Sequence, residues 1–239
     1  MPRRARIAVA GVPLHLIQRG NNRSACFFAE EDYRRYLDHL AELSEKFCCA
    51  VHAYVLMTNH VHLLLTPEKA ESASLLMKHL GQRYVQYVNR VYRRSGTLWE
   101  GRFRSCLAQE EDYVLACYRY IEMNPVRARM VEHPRQYRWS SYRANAEGAS
   151  SQLIVPHAQY RALARTTDAR RQAYRALFKA QLDPQIVKDI RAATNGNYAL
   201  GSQRFHREVA AILGRRVTPS KAGRPPQRAP DEANTRPLR

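Results

Sequence analysis

Hydrophobic positions along the first 145 residues recur with two periods, every second residue or every third to fourth, and the switches between them mark the elements. Residues 12–19 partly alternate and are bounded by Gly11 and Gly20-Asn21-Asn22, which predicts a strand ending in a turn. Over 31–47, Tyr33, Tyr36, Leu37, Leu40, Leu43 and Phe47 return at helical spacing, with acids first and Lys46 near the end, the order that complements a helix dipole. Residues 50–57 and 60–66 are two β-branched or leucine-rich runs parted by Thr58-Asn59, a hairpin spacing, and Pro67 closes the second. A long helix over 72–94 follows from Leu76, Leu80, Tyr84, Tyr87, Val88 and Val91, and Ser95-Gly96 stops it. Residues 98–107 read as a loop entering a strand, and 110–124 as a helix with acids in its first turn and Pro125 behind it.

The resulting order, β-α-β-β-α-β-α, predicts an α+β fold. It is the ferredoxin-like βαββαβ antiparallel sheet with two helices on one face and an added tyrosine-bearing helix. Many functions use this fold, so it selects none of them. Beyond Tyr142 the pattern turns helical, with segments at 157–180, 184–193 and 203–213, Asp183 and Ser202 as N-caps and Gly214 as a stop. The expected organisation is an α+β domain over 1–145, a helical accessory region over 146–218 and a disordered basic tail over 219–239.

Charge changes this picture more than composition does. The 239 residues are 45% hydrophobic and 25% charged, ordinary for a globular protein, but 39 Lys and Arg stand against 21 Asp and Glu, a net +18. Such an excess calls for a polyanion, either nucleic acid or an anionic membrane surface. No apolar run approaches the length of a bilayer span, and Met1-Pro2-Arg3-Arg4 is not followed by a signal-peptide core, so no membrane and a cytoplasmic location are expected. Five cysteines, odd in number and without a C-x-x-C pair, fit free thiols there. Residues 151–239 hold 17 Lys or Arg against 6 Asp or Glu and are the more basic part per residue, which reads as accessory DNA contacts. Within the tail, Lys221-Ala222-Gly223-Arg224-Pro225-Pro226-Gln227-Arg228 resembles an AT-hook, a minor-groove binder, although a nonspecific basic tail is the commoner reading of so short a match.

Two constellations carry candidate chemistry. In Asn59-His60-Val61-His62-Leu63-Leu64-Leu65 the two histidines share one strand face, so their imidazoles are able to share one divalent cation; on spacing alone, solvated or core-edge histidines are the commoner case. In Tyr118-Arg119-Tyr120-Ile121-Glu122-Met123-Asn124, Tyr120 and Asn124 lie one turn apart on one helix face, while Tyr118 points about 200° away. A phenol and a carboxamide converge there, although ordinary core aromatics fit the same spacing.

These motifs occur in a fixed order. Val51-His52-Ala53-Tyr54-Val55-Leu56-Met57-Thr58-Asn59-His60-Val61-His62-Leu63-Leu64 is followed by Trp99-Glu100-Gly101-Arg102-Phe103, Tyr120-Ile121-Glu122-Met123-Asn124-Pro125-Val126-Arg127-Ala128 and Trp139-Ser140-Ser141-Tyr142. The set resembles the REP-associated tyrosine transposases, relatives of the IS200/IS605 single-tyrosine transposases in the HUH endonuclease superfamily, over about residues 5–145. The resemblance implies that His60 and His62 are paired metal ligands, that Tyr120 is the nucleophile and that Asn124 completes the metal site. IS200-type relatives carry a glutamine where this chain has the shorter Asn124. It further implies Mg²⁺ or Mn²⁺ as cofactor, and as partner a single-stranded DNA with a short hairpin, cut through a 5′-phosphotyrosine and a free 3′-hydroxyl. Imidazole ligands suit Mn²⁺ better, and cellular abundance favours Mg²⁺.

For the DNA, Arg83, Arg90, Arg93, Arg94, Arg102, Arg104 and Arg127 are candidate phosphate contacts, with Arg129 beside them. Tyr84, Tyr87, Tyr92 and Trp99 are candidates for stacking on bases. A monomer is expected over a dimer. The alternatives are a hairpin-binding protein that does not cleave and a metal-dependent hydrolase that uses His60 and His62 with water and leaves no covalent adduct.

Overall fold

The computed structural model describes residues 5–109 and 113–219. The first acids of the expected 110–124 helix and the AT-hook-like segment lie outside the described residues. The sheet is built from β1 (Leu14–Arg19), β2 (Cys49–Met57), β3 (His60–Pro67), β4 (Arg104–Ala108) and β5 (Ala199–Leu200), in the order β2-β3-β1-β4-β5. The first four strands are antiparallel and reproduce the ferredoxin-like order, whereas β5 pairs parallel with β4. This fifth strand corrects the four-stranded expectation. Its cause is local: α7 (Pro184–Gly196) ends on Asn197 in the left-handed conformation, and the Asn197 carboxamide accepts the Ser105 N–H at 3.0 Å, turning the chain back along β4.

α1 (Glu30–Lys46) and α2 (Ser72–Val91) cover one face. Tyr36, Leu40 and Leu43 of α1 meet Leu76, Leu80, Tyr84 and Val88 of α2 over Leu14, Leu16, Val61, Leu63 and Leu65 of the strands. At the start of α1 the buried Asp32 carboxylate accepts the N–H groups of Phe28 and Ala29 at 2.7 and 2.9 Å and the hydroxyls of Tyr87 and Tyr92, satisfying donors the helix leaves open. A bulge in β2 at His52 lets Val51 face this core while Ala53, Val55 and Met57 face the other.

The opposite face is covered by α3 (Val114–Glu122) together with the later helices. The tyrosine helix ends at Glu122, ahead of Pro125 as expected, but Pro125 also sits in the first turn of a further short helix, α4 (Asn124–Arg127). With no N–H to give Ile121, the proline breaks the ladder, and the chain re-enters helical geometry one residue on. The expected 157–180 helix is two pieces, α5 (Ala158–Arg161) and α6 (Thr167–Ala176), with the Thr166 hydroxyl capping the second. α7 extends to Gly196, and α8 (Gln203–Leu213) stands as expected with Gly214 at its end. Tyr160, Tyr174, Ile190, Ala193 and Leu200 from these later elements pack in one core with Cys117, Tyr118 and Ile121 of α3. Among the described residues no helix is long and apolar enough to cross a membrane.

Candidate active site

His60 and His62 face the α3 side of β3, because residues two apart project together while Val61, Leu63 and Leu65 enter the opposite core. The neighbouring central strand β1 sends His15, Ile17 and Arg19 to the same side, with Ile17 opposite His62 and His15 one pair further along. Tyr120 and Asn124 reach the spot from α3 and α4, and Arg191, Thr194 and Asn195 from α7. Together these ten side chains line a cavity of about 300 Å³.

Gly20 makes the close approach at the edge of this site. Its N–H bonds the Asn59 carbonyl at 2.8 Å, and a Cβ there would meet the Ser24 carbonyl oxygen at 2.2 Å. That contact pins the hairpin turn just ahead of His60. The Asn59 amide nitrogen donates to the Arg23 carbonyl at 3.0 Å, so its oxygen faces His60 Nδ1 at 2.7 Å. His62 Nδ1 lies 2.8 Å from His15 Nε2, and His15 Nδ1 lies 3.0 Å from the Thr194 hydroxyl. The rings of His60 and His62 are 5.0 Å apart between centroids.

Burial keeps these imidazoles neutral. Desolvation pushes His15 down to about 3 and His60 to about 4, and holds His62 well below the usual histidine range. Nearby positive charge adds to the effect, from Arg127 at all three and from Arg19 at His60 and His62.

The Tyr120 ring stands nearly perpendicular to His62, with centroids 5.8 Å apart, and to His15 at 5.6 Å. The Arg127 guanidinium lies 4.2 Å over the Tyr120 ring and donates to the Tyr120 carbonyl at 2.6 Å. Its Nε and Nη1 have no protein partner in the described structure. Tyr118, by contrast, is fully buried between Tyr160 and Tyr174, where its hydroxyl accepts the His157 N–H.

Glu122, two residues past Tyr120, fixes the helix from behind. Its buried carboxylate accepts from Ser141 at 2.6 Å, Asn145 at 2.8 Å and Tyr174 at 2.7 Å. Burial pushes Glu122 up to about 7, and the three hydrogen bonds pull the other way.

The donor set fits a divalent cation. Two neutral imidazoles each engage protein through Nδ1, leaving Nε2, and Asn124 donates its amide nitrogen to the Tyr120 carbonyl at 3.3 Å, leaving its oxygen as a ligand. His15 is no ligand, since both its nitrogens are engaged. Among the described residues no group of three or more His, Cys, Asp or Glu side chains is arranged to hold a metal ion. The carboxamide, water or substrate oxygen would fill the remaining positions.

The candidate phosphate contacts divide. Arg127 does not line the cavity but lies over the Tyr120 ring at its edge, and Arg102 and Arg104 line a neighbouring cavity of about 330 Å³ with Arg6, Phe103 and Asn197. Ile17, Arg19, Arg102, Arg104 and Asn195 also line a common cleft, so the two cavities adjoin. Arg83, Arg90, Arg93 and Arg94 lie on or just beyond α2, whose core contacts are on the other face of the sheet, and Arg83 is paired with Glu42 at 2.7 Å. Tyr84 and Trp99 are buried in that core, so neither stacks on a base as expected. Sequence reasoning missed His15, Arg19, Arg191, Thr194 and Asn195. The alternation of β1 carried a signal for His15 and Arg19, but not the register that sets His15 beside His62.

Residues 8–124, just under half of the chain, match the model of the IS200-like transposase family, and the histidine pair, Tyr120 and Asn124 lie within the matched segment. Among solved structures the chain is similar to a REP-associated tyrosine transposase bound to a REP hairpin. Identity is 16% and the TM-score 0.53, over 66% of this chain and 93% of that one. It is also similar to a transposase candidate from Deinococcus radiodurans R1, at 21% identity and a TM-score of 0.36, over 46% of this chain and 88% of the other. The first likeness shows the shared fold. No curated protein matches the chain.

Proposed function

We propose that the protein nicks and rejoins single-stranded DNA beside a hairpin, with Tyr120 as nucleophile and His60, His62 and Asn124 holding Mg²⁺ or Mn²⁺. The observation that carries this reading is the convergence of these four side chains from β3, α3 and α4 in one cavity, Tyr120 standing edge-on to His62. When bound, the cation supplies Lewis-acid polarisation of the scissile phosphate. The Tyr120 hydroxyl oxygen attacks phosphorus in line. The P–O3′ bond breaks, the phenol gives up its proton and the 3′-oxygen takes one up, leaving a 5′-phosphotyrosine and a free 3′-hydroxyl. Because one phosphodiester replaces another, the 3′-hydroxyl reverses the step without a nucleotide energy source.

Arg127 holds the Tyr120 ring, and its positive charge stands beside the place where phosphate charge gathers. The adjoining cavity, with Arg6, Arg102 and Arg104, gives the flanking single strand a basic path away from the site. That the similar solved protein holds a REP hairpin supports DNA of this kind as the partner. Nucleophile and ligands come from one chain, which supports a monomer, acting in the cytoplasm.

The test is to incubate labelled single-stranded hairpin DNA with the protein and Mn²⁺ and look for a denaturation-resistant adduct. An adduct that needs both Mn²⁺ and Tyr120 is the expected result. Free cut ends without an adduct would establish the water-using hydrolase instead, and binding without cutting the non-catalytic hairpin binder.

A further inference from the structure

The two candidate ligands are oriented differently. His60 is steered by its own neighbour, Asn59, whereas His62 is steered by side chains far away in sequence. We propose that His15 and Thr194 form a positioning relay that fixes the tautomer of His62, so that the C-terminal helix α7 controls whether the second metal ligand presents a lone pair. The proposal rests on the reading of His60 and His62 as ligands.

The directions of the bonds follow from the heavy atoms. The Thr194 hydroxyl lies 2.7 Å from the Ile190 carbonyl one turn back, an acceptor only, so the hydroxyl donates there. Having spent its proton, Thr194 Oγ1 offers lone pairs. It therefore accepts from His15 Nδ1–H at 3.0 Å and from the Cys106 thiol at 3.2 Å. A neutral imidazole has one proton, so His15 Nε2 is bare and accepts from His62 Nδ1–H at 2.8 Å. The ring planes of His15 and His62 are 12° apart, which keeps N–H and lone pair in line. By the same count His62 Nε2 carries no proton and is ready for a cation.

Every member of this chain is buried: His15 is 1% exposed, His62 3%, Thr194 4% and Cys106 0%. Ile190, Thr194 and the Arg191 and Asn195 that line the cavity all belong to α7, so one helix both walls the site and terminates the relay. Without Thr194 nothing holds the proton on His15 Nδ1. Were it to move to Nε2, His62 would have to turn its lone pair toward His15 and put its proton on Nε2, where a cation binds.

The test compares Thr194→Val, nearly isosteric but without a hydroxyl, with Thr194→Ser, which restores it. DNA-free full-length protein is titrated with Mn²⁺ by electron paramagnetic resonance, and imidazole nitrogen shifts of the metal-free protein report the tautomers. In Thr194→Val we expect Mn²⁺ affinity to fall by about ten-fold or more, as loss of a partner behind a metal-bound histidine usually does. His62 should populate the Nε2–H form while His60, held by Asn59, keeps Nδ1–H, and Thr194→Ser should recover both readouts. Thr194→Ala, checked for native circular dichroism, provides a second removal should the valine variant misfold. Wild-type affinity and an unchanged His62 tautomer in the folded variants would overturn the relay, as would a folded serine variant that fails to recover. Wild-type protein that binds no Mn²⁺ would instead overturn the ligand reading, and the tautomers would still decide the relay.

Discussion

The two faces of the sheet are made by the same strands and differ in kind. Toward α1 and α2 the strands send Leu14, Leu16, Val61, Leu63 and Leu65 into an aliphatic and aromatic core. The alternate residues, His15, His62 and Cys106, face α3 and α7 beside Ala53, Val55 and Leu64. This second face also buries Glu122, Ser141, Asn145 and Thr194, each hydrogen-bonded. A buried polar group without a partner costs roughly 1–3 kcal/mol, so a face that carries chemistry has to carry a network too. Pleating lets one strand serve both purposes: one residue packs, the next lines the cavity.

The sharpest way to break this division is at the proposed nucleophile. Tyr120→Phe should lower cleavage and adduct formation by about a thousand-fold or more while leaving hairpin affinity nearly unchanged, read on denaturing gels and by DNA titration. Tyr118→Phe should stay active and lose about 1 kcal/mol of stability with the hydrogen bond from His157. His60→Ala and His62→Ala, or chelator on the wild type, should also end cleavage; full activity in chelator would end the metal reading.

The opposite face should answer in stability. Leu40→Ala or Leu76→Ala should cost about 3 kcal/mol in urea unfolding, with Mn²⁺ affinity unaltered once the protein is folded. If either weakened metal binding in the folded protein, the faces would not be separable.

A third test uses His52 at the bulge, whose ring bonds the Val155 carbonyl and the Thr66 hydroxyl. Burial pushes it down to about 4. The unfolded chain, with its histidine near about 6.5, binds the proton first as pH falls, so His52 adds stability above about pH 6.5 that is lost down to about pH 4. The loss is on the order of 3 kcal/mol, and unfolding of His52→Gln should fall less steeply across that window. The smallest effect is expected at Arg83, exposed and paired with Glu42. Arg83→Ala should change stability by less than about 1 kcal/mol and weaken DNA binding less than Arg102→Ala does.

Local pattern was enough to read the strand and helix order, because alternation and helical spacing are set by residues a few positions apart. The H-x-H pair and the Tyr120 to Asn124 turn were legible for the same reason, each lying within one element or its immediate end. The short helix re-entered at Pro125 and the split after Arg161 were missed. A helix-like apolar rhythm survives a one-turn interruption, and the ladder that breaks there is a backbone property. The C-terminal segment was legible as helical and basic, but its apolar residues carry no label saying which core they enter.

The amino-acid sequence by itself therefore determined the elements, their order, the charge and the two short constellations. Only the tertiary structure decided that Arg127 lies over Tyr120, that Arg102 and Arg104 adjoin the site while the arginines of α2 do not, and that α7 walls the cavity. It also decided that His15 and Thr194, 179 residues apart, stand in line behind His62. Such contacts depend on strand register and on how a late helix docks, and both are set by the summed packing of the whole core rather than by any short stretch of chain.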